Sequence, residues 1–432
     1  MALFGLFPLW WLLGVSHFIF IVLAVPMAVE LARRRPIYVP RGFGLWLLFL
    51  VWVAAGIFVL WASAPGTVQE ASLARVIPFT YRALWYAAIT VVMLYVVNLS
   101  ERELPSRRIV ALLAWMFTIS VVGGVAGLLI PQVSFPSLLE LFVNVGDQGF
   151  LYSLLHPSLS AESEFLGYVQ PRPTAPFAFA NAWGNNVGMY LPFFVLAWIT
   201  SKPGWRRRAA PLVLAIAVIP IAYSLNRGLW AGLALAVLLV AVRLAISGRI
   251  VPLASIVVAG LLAAGVFVLS PLYDTVSLRI ETPHSNDRRA TVAEQVIGTT
   301  WEASPLLGYG STRTVQGSFA SIAGGETADC RQCAAPPLGT QGFLWRLIFT
   351  TGLVGTVLYL AFVSVQLAQH VLAPDPLSIT CCLVIVLSLV FAVVYDSLES
   401  PLYTLMIAIG LLNRQLVGDV RQRWDRSAEA MA

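Results

Sequence analysis

Residues 209–246 read AAPLVLAIAVIPIAYSLNRGLWAGLALAVLLVAVRLAI, two apolar runs at roughly 209–225 and 228–246 with one arginine, Arg227, at their junction. A hydrocarbon core ~30 Å thick takes ~20 apolar residues in helical form, and lipid leaves helices and closed barrels as the only spanning structures. Neither run alternates as a barrel strand would. The stretch therefore reads as two membrane helices joined by almost no loop.

The same signal recurs along the chain. Helices are expected at roughly 8–31, 43–63, 79–98, 109–130, 184–200, 209–225, 228–246, 251–270, 343–371, 377–395 and 401–416. With 59% hydrophobic and 11% charged residues and a mean hydropathy of +0.81, the 432-residue chain lies far from the average soluble domain. The expected fold class is an all-α polytopic membrane bundle of about 11–12 transmembrane helices with two large extracytoplasmic loops. Its organisation is N-terminal membrane helices over 1–130, a loop over 131–183, central membrane helices over 184–270 and a larger loop over 271–342. Membrane helices and a tail follow over 343–432. The first apolar stretch lacks a basic leader and runs into Arg33-Arg34-Arg35, so it is expected to remain as a span, with Phe7–Trp11 suited to the interface.

Charge placement orients the bundle. Seventeen of the 27 basic residues fall in short segments on one side, among them Arg33, Arg107, Arg206, Arg249 and Arg414. Such segments mark the cytoplasmic side, which places the C-terminus inside and the two long loops outside an inner or plasma membrane. No nucleic-acid partner is implied. The loops are expected to fold over the membrane surface, with 288–303 forming an amphipathic helix that ends before Pro305.

Ten arginines remain on or near the outer side: Arg75, Arg82, Arg172, Arg227, Arg279, Arg288, Arg289, Arg313, Arg331 and Arg346. The guanidinium fork suits phosphate because it donates two parallel hydrogen bonds and keeps its charge. Arg227, at the span junction, reads either as a substrate-phosphate ligand or as a residue snorkelling to the headgroups. Arg288 and Arg289 read as heading a helix whose N-terminus attracts anions, or as a solvated face paired with Asp287 or Glu281. Arg172 reads equally as a loop anchor or a substrate contact. Asp396 and Glu399, in the turn between the last two spans, either pair with the arginines or belong to a site.

The remaining candidates are weaker. Cys330 and Cys333 suggest a short disulfide bracing the outer loop, since zinc would need two further ligands that no nearby spacing supplies. Cys381 and Cys382 read as small core residues. His17 and His370 read as structural. His156 and His284 are external, and His284, four residues before Arg288, is a weak candidate base. No metal and no cofactor are expected.

In order along the chain stand RPTAPFAFANAWGNN (172–186), SLNRG (224–228), the Arg288-Arg289 pair, PLLGYG (305–310) and GFLWRLIFTTGLVG (342–355). Their order over most of the chain resembles the O-antigen ligase and polymerase superfamily. That resemblance implies about ten to twelve helices and metal-independent transfer of a glycan from a polyprenyl-diphosphate carrier on the extracytoplasmic face, to a glycan or lipid acceptor. It implies further that Arg227 and Arg289, or its neighbour Arg288, hold the donor diphosphate. Where ligases resembling this chain place a histidine as base, Gln341 stands, and Gln accepts no proton at neutral pH. That departure favours polymerase slightly over ligase. Two other classes stay open: a transporter or flippase for an anionic lipid-linked glycan, which would need polar residues at mid-membrane and broken helices, and a non-catalytic assembly scaffold.

Overall fold

The computed structural model describes residues 2–69, 72–143, 150–163, 168–200, 203–270, 272–281, 284–316 and 336–414. The chain is mostly helical, with 70% of it in helix and few strands. Among the described residues, five helices are long and apolar enough to cross a membrane: Arg75–Asn98, Ser106–Leu129, Arg227–Ile246, Phe343–His370 and Pro376–Val394. Shorter apolar helices cover Ile19–Ala32, Phe43–Val59 and Ile250–Leu262.

Two compact units make up the chain. One comprises residues 1–20, 104–283 and 379–387, the other 21–103, 284–378 and 388–432. In the first, helix Ser106–Leu129 packs against helix Ala180–Phe194 and helix Trp205–Tyr223. Trp183 is fully buried there, its ring against Gly124 and its indole N–H donating to Ser120 O at 2.9 Å. The 131–183 segment carries a short helix, Phe150–Leu155, and an antiparallel ribbon of Ser160–Ser163 with Gln170–Pro173, in which Ala161 faces Arg172.

In the second unit an aromatic core joins Trp46, Phe49, Tyr86, Tyr359 and Phe362 through ring centroids 5.1–6.1 Å apart. Helix 400–414 is buried from residue 400 to residue 414. A helix apolar on all sides belongs inside a bundle, and the backbone of Gly410 there meets Val96.

Two expectations are corrected. The single helix expected over 8–31 is two, Phe7–Leu12 and Ile19–Ala32, with residues 13–18 outside helical structure. Gly14 takes φ +77°, a left-handed turn that ends the first helix, and Leu13 O accepts the amide of Leu139 instead of a helical partner. Helix Phe343–His370 is also not continuous: Gly352 stands at φ 64°, ψ −170° inside it.

Candidate functional site

In the first unit, the SLNR turn is a fixed structure rather than a loop. Leu225 stands at φ +53°, unusual for a branched apolar residue. Two buried arginines hold it. Arg172 donates from Nε to Ser224 O at 2.6 Å and from Nη2 to Asn226 Oδ1 at 2.9 Å and Asn181 Oδ1 at 3.2 Å. Arg279, from helix Leu272–Glu281, donates to Leu225 O at 3.3 Å. Asn226 closes the turn by donating its amide to Ala180 O at 2.8 Å.

These bonds deliver Arg227, half-buried, as the first residue of helix Arg227–Ile246. Helix N-termini expose unsatisfied N–H groups and the positive end of the dipole, so a guanidinium placed there adds to an environment that already favours anions. The contacts of Arg172 are those of an anchor. Arg279 was visible in the sequence as an outer arginine, but no motif tied it to the SLNR turn.

In the second unit, helix His284–Ala303 begins four residues before Arg288. The helix therefore starts four residues before the arginine pair at which the sequence placed its beginning. The helix ends at Ala303, before Pro305, as its sequence predicts. Its inner stripe is Val292, Val296 and Thr300, buried at 4%, 0% and 1% exposure. Arg289 lies seven residues before Val296 and so continues that stripe, half-buried.

PLLGYG fixes this helix to the next. Tyr309 and Gly310 donate their amides to Phe349 O and Thr350 O at 2.8 and 3.0 Å, and Leu353 N donates to Pro305 O at 2.8 Å. These are the groups freed by the break at Gly352. The two motifs that stood out in the sequence are thus the two halves of one backbone clasp, closed further by Trp52 Nε1, which donates to Leu306 O at 2.9 Å and Thr351 O at 3.1 Å.

Gln341 precedes helix Phe343–His370 and adopts φ +68°. Nearby, Phe343 N donates to Tyr395 O at 2.8 Å, which brings the 341–346 segment to the turn carrying Asp396 and Glu399. Asp396 pairs with Arg346 at 3.0 Å. Glu399, at φ +75°, accepts from the Tyr81 hydroxyl at 2.9 Å. Arg82, Arg75 and Arg313 are buried and donate to main-chain carbonyls, Arg82 to Gly310 O at 2.8 Å, Arg75 and Arg313 both to Leu60 O. Arg82 thus braces the clasp at Gly310, and Arg313 does so through Tyr309 O at 2.9 Å.

His156 pairs with Glu140 at 3.0 Å. Burial pushes the Glu140 carboxyl upward, but the Ser137 amide and His156 outweigh it and hold the group below the usual carboxylate range. His17 and His370 are buried, as are Cys381 and Cys382. Cys330, Cys333 and Arg331 lie outside the described residues. His284 opens the helix that carries Arg288 and Arg289. Among the described residues no three His, Cys, Asp or Glu side chains cluster as a metal site would require. No protein-family model matches the chain, and no curated protein matches it.

Proposed function

We propose that the protein is an integral membrane glycosyltransferase that polymerises or ligates glycan carried on a polyprenyl diphosphate, polymerase being slightly preferred. The observation that carries the reading is the turn in which buried Arg172 and Arg279 hold Ser224 O and Leu225 O, setting Arg227 at a helix N-terminus. The motif order and its resemblance to the O-antigen ligase and polymerase superfamily support it. In this reading further apolar helices beyond those five also cross the bilayer, giving about eleven spans. The segments 131–183 and 271–342 then lie on the extracytoplasmic face and the C-terminus in the cytoplasm.

The chemistry asks for little beyond positioned charge. An acceptor hydroxyl oxygen bonds to the anomeric carbon of the donor as its proton passes to water, the bond from that carbon to the diphosphate oxygen breaks, and the polyprenyl diphosphate departs with the electron pair. Negative charge grows on the leaving group, and a preorganised guanidinium stabilises it more in the transition state than in the ground state. Arg227 is assigned to that leaving group. Arg289 has the same role by resemblance, and the isoprenoid tail remains in lipid.

The broken helix at Gly352 lends no weight to a transporter reading, because its freed backbone groups bond to PLLGYG rather than face a ligand. Purified protein supplied with a polyprenyl-diphosphate oligosaccharide should lengthen it or move it to a glycan or lipid acceptor, and Arg227→Ala should cost on the order of 10²–10³ in rate. Folded protein that yields no product with any such donor would overturn the reading.

A further inference from the structure

Within the second unit, helix Ser72–Asn98 places Arg82 and Tyr86 one turn apart on one face. Arg82 is 6% exposed, and among the described residues Gly310 O is the one acceptor bonded to its five donors. The Tyr86 hydroxyl, on a side chain 2% exposed, has no hydrogen-bond partner among the described residues. It lies within electrostatic reach of Arg82 and of Arg346, and Arg346 in turn acts on Arg82.

Gly310, which Arg82 bonds, donates its amide to Thr350 O, and Thr350 Oγ1 donates in turn to Arg346 O at 2.7 Å, so the Arg346–Asp396 pair lies beside the Arg82 and Tyr86 face. Arg346 is 13% exposed and Asp396 38%, so the acid reaches in from the surface while the base is fixed inside. Asp396 sits in the non-helical turn between helix Pro376–Val394 and helix 400–414, and its side chain pairs with Arg346. Glu399, the other acid of that turn, is engaged by Tyr81.

We propose that Arg346, Arg82 and Tyr86 form an oxyanion site which Asp396 fills as an internal stand-in, and which takes an external phosphate or carboxylate group when Asp396 turns out to solvent. The planar fork of Arg346 meets either oxyanion with two parallel hydrogen bonds. Tyr86 supplies the hydroxyl donor that Asp396 does not engage, and Arg82 supplies charge from behind. All of these residues lie in the second unit, apart from Arg227, so the site stands whether or not the glycosyltransferase reading does.

The test is calorimetric titration of the full chain in non-ionic detergent at constant ionic strength, with inorganic phosphate in one arm and glucuronate in the other. Both arms use the Arg227→Ala protein, so that binding at the SLNR turn is absent. Binding in either arm is expected, and the tighter arm names the group. Adding Arg346→Gln should weaken it about tenfold or more, the value of one charged hydrogen bond. Tyr86→Phe, which keeps the ring packing, should weaken it as well. Asp396→Asn should instead tighten binding severalfold, because the competent state no longer has to displace an internal anion. A merely structural ion pair would not reverse sign in this way. No binding of either anion, or binding indifferent to Tyr86→Phe, or weaker binding in Asp396→Asn, would overturn the proposal.

Discussion

Gly308 and Gly352 stand backbone to backbone: a Cβ on Gly308 would come within 2.6 Å of the Gly352 amide nitrogen, and both residues take positive φ, 65° and 64°. The contact is what lets the Pro305–Gly310 segment enter the break in helix Phe343–His370. An alanine at either position meets both the left-handed penalty of ~1–2 kcal/mol and a clash with backbone that has no side chain to move. Gly352→Ala is expected to cost more than about 3 kcal/mol and to lower the thermal midpoint of the detergent-solubilised protein sharply. Gly298→Ala, which meets nothing within 4 Å on an ordinary helix, should leave it unchanged or raise it. Equal midpoints for Gly352→Ala and wild type would mean that the clasp is dispensable.

Arg172 and Asn226 act as one unit around the SLNR turn. Removing Arg172 takes the donor from the buried Asn226 Oδ1 and Ser224 O, and removing Asn226 takes one acceptor from the Arg172 guanidinium, at about 1.5–3 kcal/mol for a hydrogen bond to a charged group. Arg172→Gln and Asn226→Ala should each destabilise, and the double variant should lose less than the sum. Strict additivity in a denaturation series would show that the two do not share the turn.

A pH-dependent pair lies in the turn after helix Ser72–Asn98. Glu103 accepts from Arg34 at 2.7 Å and from both the amide and hydroxyl of Ser100 at 2.8 Å. Arg34 first, then Ser100, hold its carboxyl down at about 2. A depressed carboxylate contributes stability above its unfolded value near ~4.3, and loses it as pH falls towards the folded value. The pair is 28% and 42% exposed, so the effect is modest and screened by salt. The midpoint difference between wild type and Glu103→Gln should be present at pH 6, shrink between about pH 4 and pH 2, and shrink further in high salt. A difference that stays constant over that range would contradict the assignment.

How much of this was legible beforehand follows from the physics of each element. Helix positions came through because apolar runs have a length that lipid dictates, and the end of helix His284–Ala303 was marked by Pro305. The breaks did not come through. Residues 13–18 and Gly352 are interruptions inside apolar sequence, where hydropathy gives no signal and the deciding partners, Leu139 and Pro305–Gly310, are distant in sequence. PLLGYG and TGLVG were conspicuous as motifs, but their glycines serve close backbone approach, which a linear reading does not distinguish from a substrate loop. For the arginines the sequence marked the set and missed the division of labour. Arg172, Arg279, Arg75 and Arg313 spend donors on carbonyls hidden from any periodicity, whereas Arg227 and Arg289 are left half-buried.

Gln341 supplies a last prediction, because its backbone disagrees with its side chain. At φ +68° it holds a conformation that glycine adopts freely and that costs a residue with a Cβ about 1–2 kcal/mol. Strain of this kind persists where the surroundings impose it, and clusters at functional sites. Glu399, in the facing turn, shares the feature at φ +75°. Gln341→Gly should therefore leave the thermal midpoint unchanged or raise it, since relief of strain offsets the added freedom of the unfolded chain. If the side chain positions an acceptor, the same variant should lower glycan transfer at least about tenfold with KM for the acceptor raised, while Gln341→His retains or exceeds wild-type transfer by adding a proton acceptor at that point. Gly and His variants that both match wild type would show the strain to be an inheritance of the turn alone. The acceptor hydroxyl would then have to find its base elsewhere, and the carboxylates of Asp396 and Glu399 in the facing turn are the next groups to substitute.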